Sequence, residues 1–398
     1  MDKVKLGVIG IGNMGSAHCQ HIMQGLCPEV ELVAVADTNP ARLEWAKENL
    51  GESVVRFATA EELLDSGLVQ AVIIAVPHYF HPPIAIKAFE RNIHVLTEKP
   101  AGVYTKQVLE MNKAAEKSGV VFGIMWNQRT NHIFRKMKEL VDSGKYGQIR
   151  RTNWIVTTWF RSQAYYDSGD WRATWCGEGG GVLMNQCPHQ LDLFQWICGM
   201  PKTVQAKIQY GKWHNIEVED EVSAFVQYEN GATGVFIAST GEAQGTNRFE
   251  ILLDRAKLIA EHGKLQLFEF ESTIDEFTYS AGPSGLLKAV SVDPETDGKD
   301  TEHVGVVNAF AAAILRGEPL VAEGKEGIRE ISLANAMYLS DWLGREVQLP
   351  LNDKQYYKEL SKRIAISKKK QKNKPQSESA VKNTTPVSNA SERWKVRW

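Results

Sequence analysis

Val4-Lys5-Leu6-Gly7-Val8-Ile9-Gly10-Ile11-Gly12-Asn13-Met14-Gly15 is the stretch from which the rest of the chain is read. Its first half is apolar almost without alternation, which predicts a strand buried on both faces, as in a parallel sheet. The glycines that follow have the G-x-G-x-x-G spacing that turns such a strand into a helix. The first permits a tight turn, the second lets backbone approach a pyrophosphate, and the third lets the helix pack on the strand, with phosphate at the helix N-terminus. Asp37 lies 22 residues past Gly15, at the end of a second strand-like run, where it would accept the ribose hydroxyls of an adenosine. Thr38 and Asn39 come next, so no adjacent cation waits for a 2′-phosphate, and NAD is expected rather than NADP. On this reading Gly10, Ile11, Gly12, Asn13, Met14 and Asp37 hold the cofactor.

Outward from this stretch the pattern repeats. Residues 32–36, 71–76, 94–96 and 120–124 are further apolar runs, and amphipathic segments such as 40–50 and 105–117 separate them. Strand then helix, repeated, predicts a doubly wound parallel sheet. After residue 126 the grammar changes. Helical patterns at 133–141 and 189–197 flank a strand-like 150–160 and an aromatic, glycine-rich stretch. Strand patterns follow at 203–210, 222–228, 233–239, 248–253, 257–261 and 264–268, with Asn230-Gly231 as a hairpin signal. Late helical patterns cover 304–315 and 326–342. The expected fold is α/β. Residues 1–125 form an N-terminal Rossmann domain with a doubly wound parallel sheet, and 126–350 a C-terminal α+β domain with a large, mostly antiparallel open sheet. Residues 351–398 remain as a basic tail.

Composition bounds the function. The 398 residues are 43% hydrophobic and 24% charged, enough for two or three cores. A net charge of −2 argues against nucleic acid as a partner of the body. No apolar run approaches the roughly 20 residues of a membrane helix, and residues 1–5 lead straight into the first strand without the apolar segment of a signal peptide. Five scattered cysteines without a C-x-x-C pair suit a reducing cytoplasm rather than a disulfide scaffold. The charge is unevenly spread: residues 361–398 hold 11 Lys or Arg against 2 Glu, a net of +9, which leaves −11 for 1–360. So polar a segment is expected to be disordered or loosely docked. Its closing Arg393-Trp394-Lys395-Val396-Arg397-Trp398 is suited to docking on a subunit or partner.

Two further motifs carry chemistry. Glu98-Lys99-Pro100 follows the apolar run at 94–96, at the carboxyl edge of the sheet. A lysine there, beside a nicotinamide and partly buried, has its pKa lowered and can donate to or accept a proton from a substrate hydroxyl. The second is Gly179-Gly180-Gly181-Val182-Leu183-Met184-Asn185-Gln186-Cys187-Pro188-His189-Gln190-Leu191-Asp192. With the glycine turn, these resemble the glucose–fructose oxidoreductase / inositol dehydrogenase (Gfo/Idh/MocA) family. The resemblance extends to Gly144-Lys145-Tyr146-Gly147-Gln148-Ile149 and to 324–350, covers residues 3–350, and leaves the tail unexplained.

The resemblance implies NAD(P)-dependent hydride transfer to or from a ring hydroxyl of a sugar or cyclitol. The usual set is a Lys in E-K-P, an Asp, and a His four residues later. Lys99 and His189 match, while Asn185 stands where Asp is more common. An amide orients a hydroxyl but accepts no proton. His189 is therefore expected as general base, with Lys99 polarising the hydroxyl and Asn185 orienting it. Asp192 lies on the same helical face as His189 and is expected to orient the helix. Val76-Pro77-His78-Tyr79-Phe80-His81 stands where the family has a T-P-N-x-x-H loop. Val76, Pro77, His78, His81, Glu98, Lys99 and Asn127 are thus expected against the cofactor. His78 and His81 lack a third ligand, so no metal is expected, and Cys187 reads as a small buried residue.

Seven of the 11 tryptophans lie between 126 and 213, where sugar C–H faces would meet aromatic rings. Tyr165, Trp171 and Arg172, with Lys99, Arg129, Asn185 and His189, are expected to line the substrate cleft, and Trp154 and Trp159 a subunit interface. The likeness is nearest to members of the levoglucosan and glycoside 3-dehydrogenase type, which implies oxidation at C3 of a sugar, glycoside or anhydrosugar. An inositol dehydrogenase is the alternative. Two others keep the fold and cofactor: a glycosidase that oxidises C3 transiently, and a regulator that senses NAD or sugar without turnover. A homodimer or homotetramer is expected.

Overall fold

The computed structural model describes residues 3–372, so the closing Trp-containing hexapeptide lies outside the described residues. Strand and helix alternate as β1 (Val4–Ile9), α1 (Asn13–Met23), β2 (Val30–Ala36), α2 (Pro40–Leu50), β3 (Val55–Phe57), α3 (Ala60–Asp65), β4 (Ala71–Ile74), α4 (His81–Phe89), β5 (His94–Thr97), α5 (Thr105–Ser118) and β6 (Phe122–Ile124). The six strands form one parallel sheet in the order β3-β2-β1-β4-β5-β6. Every residue of β4 is buried, because its side chains feed two cores: Val72 and Ile74 join one, Ala71 and Ile73 the other. The strand order reverses between β1 and β4, and that crevice is where sheets of this kind take ligands.

The second half begins with α6 (His132–Asp142), β7 (Ile149–Val156), α7 (Gln163–Tyr166) and α8 (Pro188–Cys198). Seven strands then follow one another with a short helix among them: β8 (Thr203–Tyr210), β9 (Glu219–Gln227), β10 (Thr233–Ser239), β11 (Asn247–Leu253), β12 (Ala256–Glu261), β13 (Lys264–Phe270), α9 (Ile274–Ser280) and β14 (Ala289–Val292). The chain closes with α10 (Glu302–Arg316), α11 (Gly327–Leu343), β15 (Val347–Gln348) and α12 (Asp353–Lys372). The second sheet has nine strands, ordered β14-β13-β12-β11-β7-β10-β9-β8-β15. All its pairings are antiparallel except β7 with β10. α10 crosses back to the first sheet, where Val306, Val307, Phe310 and Ala311 enter the core that holds Val4, Leu6 and Val8. Among the described residues no helix is long and apolar enough to cross a membrane.

Three expectations are corrected. The strand-like 150–160 leaves the sheet after Val156, so Trp159 and Arg161 sit on a loop. Trp154 is not interface surface. It is fully buried within the chain, stacked on Phe249 at 4.2 Å, because β7 lies at the middle of the sheet and α6 brings Phe134 against the same ring. Residues 353–372 form helix α12, so the start of the segment expected to be disordered or loosely docked, residues 361–372, is helical and docked on the body. Few apolar residues suffice there because they share one face: Tyr356 and Leu360 are fully buried, Tyr356 stacks on Trp342 at 5.4 Å, and Arg363 lies over that indole at 3.8 Å. Farther along, Gln371 donates to Asp170 O at 2.9 Å, so α12 braces the segment that enters the site.

Candidate functional site

The glycine turn is built for close approach. Gly10 has φ +86°, and a Cβ on Gly15 would lie 1.8 Å from Gly10 O, so the helix can meet the strand only if that residue is glycine. A Cβ on Gly12 would meet no atom within 4 Å, which leaves its backbone open to a ligand. No side chain caps α1, and its first turn carries no acid. Its N–H groups are thus disposed to receive a pyrophosphate. Asp37 accepts from Ile11 N and Asn39 N, both at 2.8 Å, which fixes the carboxylate at the mouth of the turn with lone pairs to spare for ribose. Arg42 on α2 is buried in the field of Asp37, with Nη1 lacking a protein partner. These groups fit a dinucleotide.

Deeper in the crevice lies a group of buried imidazoles. His18 Nε2 meets Glu98 Oε1 at 2.8 Å. Burial pushes the Glu98 carboxyl up, but the hydrogen bond and charge of His18 overcome this and hold it down at about 2. Glu98 Oε2 also accepts Lys99 N at 3.2 Å. His303, at the start of α10, packs edge-on against His18 at 5.7 Å, and burial lowers its pKa to about 3. Asn127 Nδ2 is 3.5 Å from His303 Nδ1, and its Oδ1 is buried without a protein partner, an open acceptor.

The loop after β4 is held by backbone carbonyls. His81 places Nδ1 2.8 Å from Pro100 O and Nε2 2.7 Å from Val76 O. His78 Nδ1 lies 3.0 Å from Glu178 O, and its ring meets Trp171 edge-on at 6.0 Å. Tyr79 OH donates to Trp175 O at 2.7 Å. The cofactor-side loop is thus tied to the segment between α7 and α8. No group of three or more His, Cys, Asp or Glu among the described residues is placed to hold a metal.

Asn185 is the hub of a second hydrogen-bonded group. Lys99 Nζ donates to Asn185 O at 3.0 Å. Asn185 Oδ1 accepts from Tyr165 OH and from Gln186 Nε2, both at 3.1 Å, and its Nδ2 donates to the Glu178 carboxylate. Arg172 Nη1 donates to Tyr165 OH at 3.1 Å, and Glu178 Oε2 accepts Ala173 N at 2.6 Å. Burial lowers the pKa of Lys99. Burial, reinforced by the charges of Lys99 and His303, holds His189 well below the ordinary imidazole value. His189 is therefore neutral near pH 7 and able to accept a proton. Its Nδ1 is buried with no partner among the described residues, and Trp126 packs edge-on against the ring at 5.5 Å. Glu219 fixes the glycine-rich stretch from below. Its carboxylate accepts Gly181 N at 2.9 Å, Leu183 N at 3.0 Å and Tyr338 OH at 2.6 Å, while burial pushes its pKa up to about 7.

Comparison with known proteins agrees with this geometry. Residues 4–125 match the profile described as oxidoreductase family, NAD-binding Rossmann fold, and residues 134–259 match the GFO/IDH/MocA C-terminal domain. The chain belongs to the Gfo/Idh/MocA family. It is 29% identical over 234 residues to 1-carboxy-3-chloro-3,4-dihydroxycyclohexa-1,5-diene dehydrogenase of Comamonas testosteroni, covering 57% of this chain and 56% of that protein. It is 23% identical over 330 residues to inositol 2-dehydrogenase of Corynebacterium glutamicum, covering 73% of this chain and 92% of that one. The WlbA dehydrogenase of Chromobacterium violaceum, solved with NADH and UDP-GlcNAcA, superposes with a TM-score of 0.77 and 28% identity. That match covers 88% of this chain and 97% of the other.

Within this Gfo/Idh/MocA frame the structure brings Lys99, Tyr165, Arg172 and Asn185 into one hydrogen-bonded group, with Trp171 on its cofactor side and His189 in the field of Lys99. Arg129 is corrected. It is expected in the cleft but is fully buried, with Nε 2.8 Å and Nη2 2.7 Å from the Asp192 carboxylate and Nη1 2.8 Å from Glu326 Oε2. Two carboxylates occupy its donors, so it locks α8 to α11 instead of meeting substrate. His81 and Glu98 are corrected in the same sense. Their polar atoms are engaged by backbone carbonyls and by His18, so they shape the cofactor loop through neighbours. Sequence reading missed His18, His303 and Glu178. Of these only Glu178 carried a local signal, an acid set directly before the glycine run.

Proposed function

We propose that this oxidoreductase is an NAD-dependent dehydrogenase for a ring hydroxyl of a sugar, glycoside, anhydrosugar or cyclitol, with C3 the oxidised carbon of a pyranoside. The observation that carries the reading is a half-buried lysine, Lys99, held by the Asn185 carbonyl at 3.0 Å, with the imidazole of His189 in its field and kept neutral by burial. Lys99 donates a hydrogen bond to the substrate hydroxyl and makes it more acidic, and His189 takes the proton. Asn185 and Tyr165 hold the neighbouring hydroxyl, and Trp171 and Arg172 wall the ring. Gly10, Ile11, Gly12, Asn13, Met14 and Asp37 would bind the adenosine and pyrophosphate, while Val76, Pro77, His78 and Asn127 would flank the nicotinamide. When bound, NAD accepts the hydride from the carbon that becomes a ketone. The reading is tested by absorbance at 340 nm with NAD⁺ and a panel of methyl glycosides, levoglucosan and inositols. Turnover of a panel member that is lost in Lys99→Ala and His189→Ala is expected. Full activity in both variants overturns the assignment.

The inositol alternative is favoured by the relative aligned over 92% of its length, and myo-inositol is accordingly one arm of the panel. A homodimer or homotetramer in the cytoplasm is proposed as well. Support for assembly comes from the outer face of the second sheet, where Phe225 is exposed and Ile155, Val235, Ile237 and Leu252 are half-exposed. Light scattering that returned the mass of a single chain would reject it.

A further inference from the structure

Three buried or half-buried arginines elsewhere in this chain are each matched by two carboxylates, although the buried Arg42 forms no ion pair among the described residues. Arg129 has Asp192 and Glu326, Arg150 has Asp254 and Asp275, and Arg248 has Glu250 and Glu261. The two arginines beside Tyr165 are less well matched. Arg161 has no ion-pair partner among the described residues, donates from Nη1 only to the carbonyl of Phe160, and keeps Nε buried without a partner. Arg172 reaches Tyr165 OH at 3.1 Å and lies 3.8 Å from Glu178. Both guanidiniums lie over the one Tyr165 ring, at 4.9 and 4.7 Å from its centre, and Tyr165 is bonded to the same Asn185 that holds Lys99.

Lys99 has Glu98, Glu330 and Glu178 in its field, but of the two guanidiniums only Arg172 has a carboxylate in reach, Glu178, which is already engaged by Asn185 and Ala173 N. A guanidinium cannot shed its charge to escape such crowding and has donors but no acceptor. A neutral polyol would leave both that charge and the unused donors unanswered. We infer that the substrate is an acidic sugar or cyclitol, whose carboxylate or phosphate ester is received by Arg161 and Arg172 on the side of the ring facing Tyr165. The inference rests on the dehydrogenase reading only for the identity of the ring, since the anion site is defined by its own residues.

The test uses the full chain and glycosides blocked at C1. Methyl glucuronoside and methyl galacturonoside supply the carboxylate, and methyl glucoside 6-phosphate the phosphate. Methyl glucoside and methyl glucuronamide are the uncharged counterparts. Charge-assisted hydrogen bonds to a guanidinium predict about 10- to 100-fold higher kcat/KM for an anionic member than for its neutral counterpart. They also predict a larger rise in melting temperature when the NADH-loaded chain is titrated. The more effective anion identifies the source. In Arg161→Met and Arg172→Met the ratio of anionic to neutral probe collapses toward one. Neutral probes bound or turned over as well as the anions, in the unaltered chain, overturn the inference while leaving the dehydrogenase reading intact. Anions that bind selectively with no turnover of any probe sustain the inference and defeat the dehydrogenase reading.

Discussion

Arg129→Met is the most direct trial of how the site is supported. In the folded chain Arg129 and Asp192 are about equally inaccessible, at 2% and 1% side-chain exposure, and are joined by two hydrogen bonds of 2.8 and 2.7 Å. Methionine fills similar volume but leaves the Asp192 carboxylate buried with only Gln195 Nε2, at 3.0 Å, as a side-chain donor. Removing one partner of a buried pair costs about 3–5 kcal/mol. An unfolding entropy of about 2.1 cal/mol/K per residue gives roughly 0.8 kcal/mol/K for 398 residues, so the melting temperature should fall by about 4–6 °C. The loss should also depend on pH. Burial already raises the Asp192 pKa, and removing the guanidinium raises it further. A carboxyl whose folded pKa lies above its unfolded value contributes stability at low pH and loses it as pH rises through the folded value. Thermal melts at pH 5.5 and pH 8 should therefore show a larger deficit at pH 8. Arg129→Met combined with Asp192→Leu should recover most of it. A deficit below about 1 kcal/mol with an unchanged melting temperature and a raised substrate KM would refute the reasoning and return Arg129 to the cleft.

Three other outcomes follow from the same geometry. The pH–rate profile of NAD⁺ reduction should show no acid limb near 6.5, because His189 titrates well below that value, and should fall on the alkaline side below 10.5 as Lys99 loses its proton. An acid limb at the ordinary imidazole value would contradict the neutral base. Asp37→Ala should weaken NADH binding, followed by its fluorescence, by about 10- to 100-fold while affecting NADPH less, since a charge-assisted hydrogen bond to ribose is lost. Equal loss for both would show that Asp37 only shapes the turn. Leu360→Ala should cost about 2–5 kcal/mol in urea unfolding because Leu360 is fully buried on the inner face of α12. A cost under about 0.5 kcal/mol would mean that the helix merely lies alongside.

Much of this was legible in the residues. The apolar run Val4–Ile9 and its glycine turn announced β1 and α1, because burial on both faces and a φ of +86° at Gly10 are imposed within a dozen residues. Lys99, Asn185 and His189 were legible through motif resemblance. The short strands β3, β14 and β15 were not, since two to four residues at a sheet edge carry no periodicity of their own. Helix α12 was missed because its lysines dominate the composition while a narrow stripe led by Tyr356 and Leu360 does the packing.

By itself the sequence determined the parallel nucleotide-binding half and its glycine turn, since both depend on local spacing and backbone geometry, while Lys99 and His189 were singled out only by resemblance of their motifs. Only the tertiary structure decided which cations are spent and which are free. Arg129, four residues past Met125 on its strand exit, is consumed by Asp192 and Glu326, which lie 63 and 197 residues away. Arg161, on a loop that reads as the end of a strand, lies over the Tyr165 ring with no ion pair among the described residues. Charge pairing depends on distance in space, and the fold alone brings such distant residues within a few ångströms.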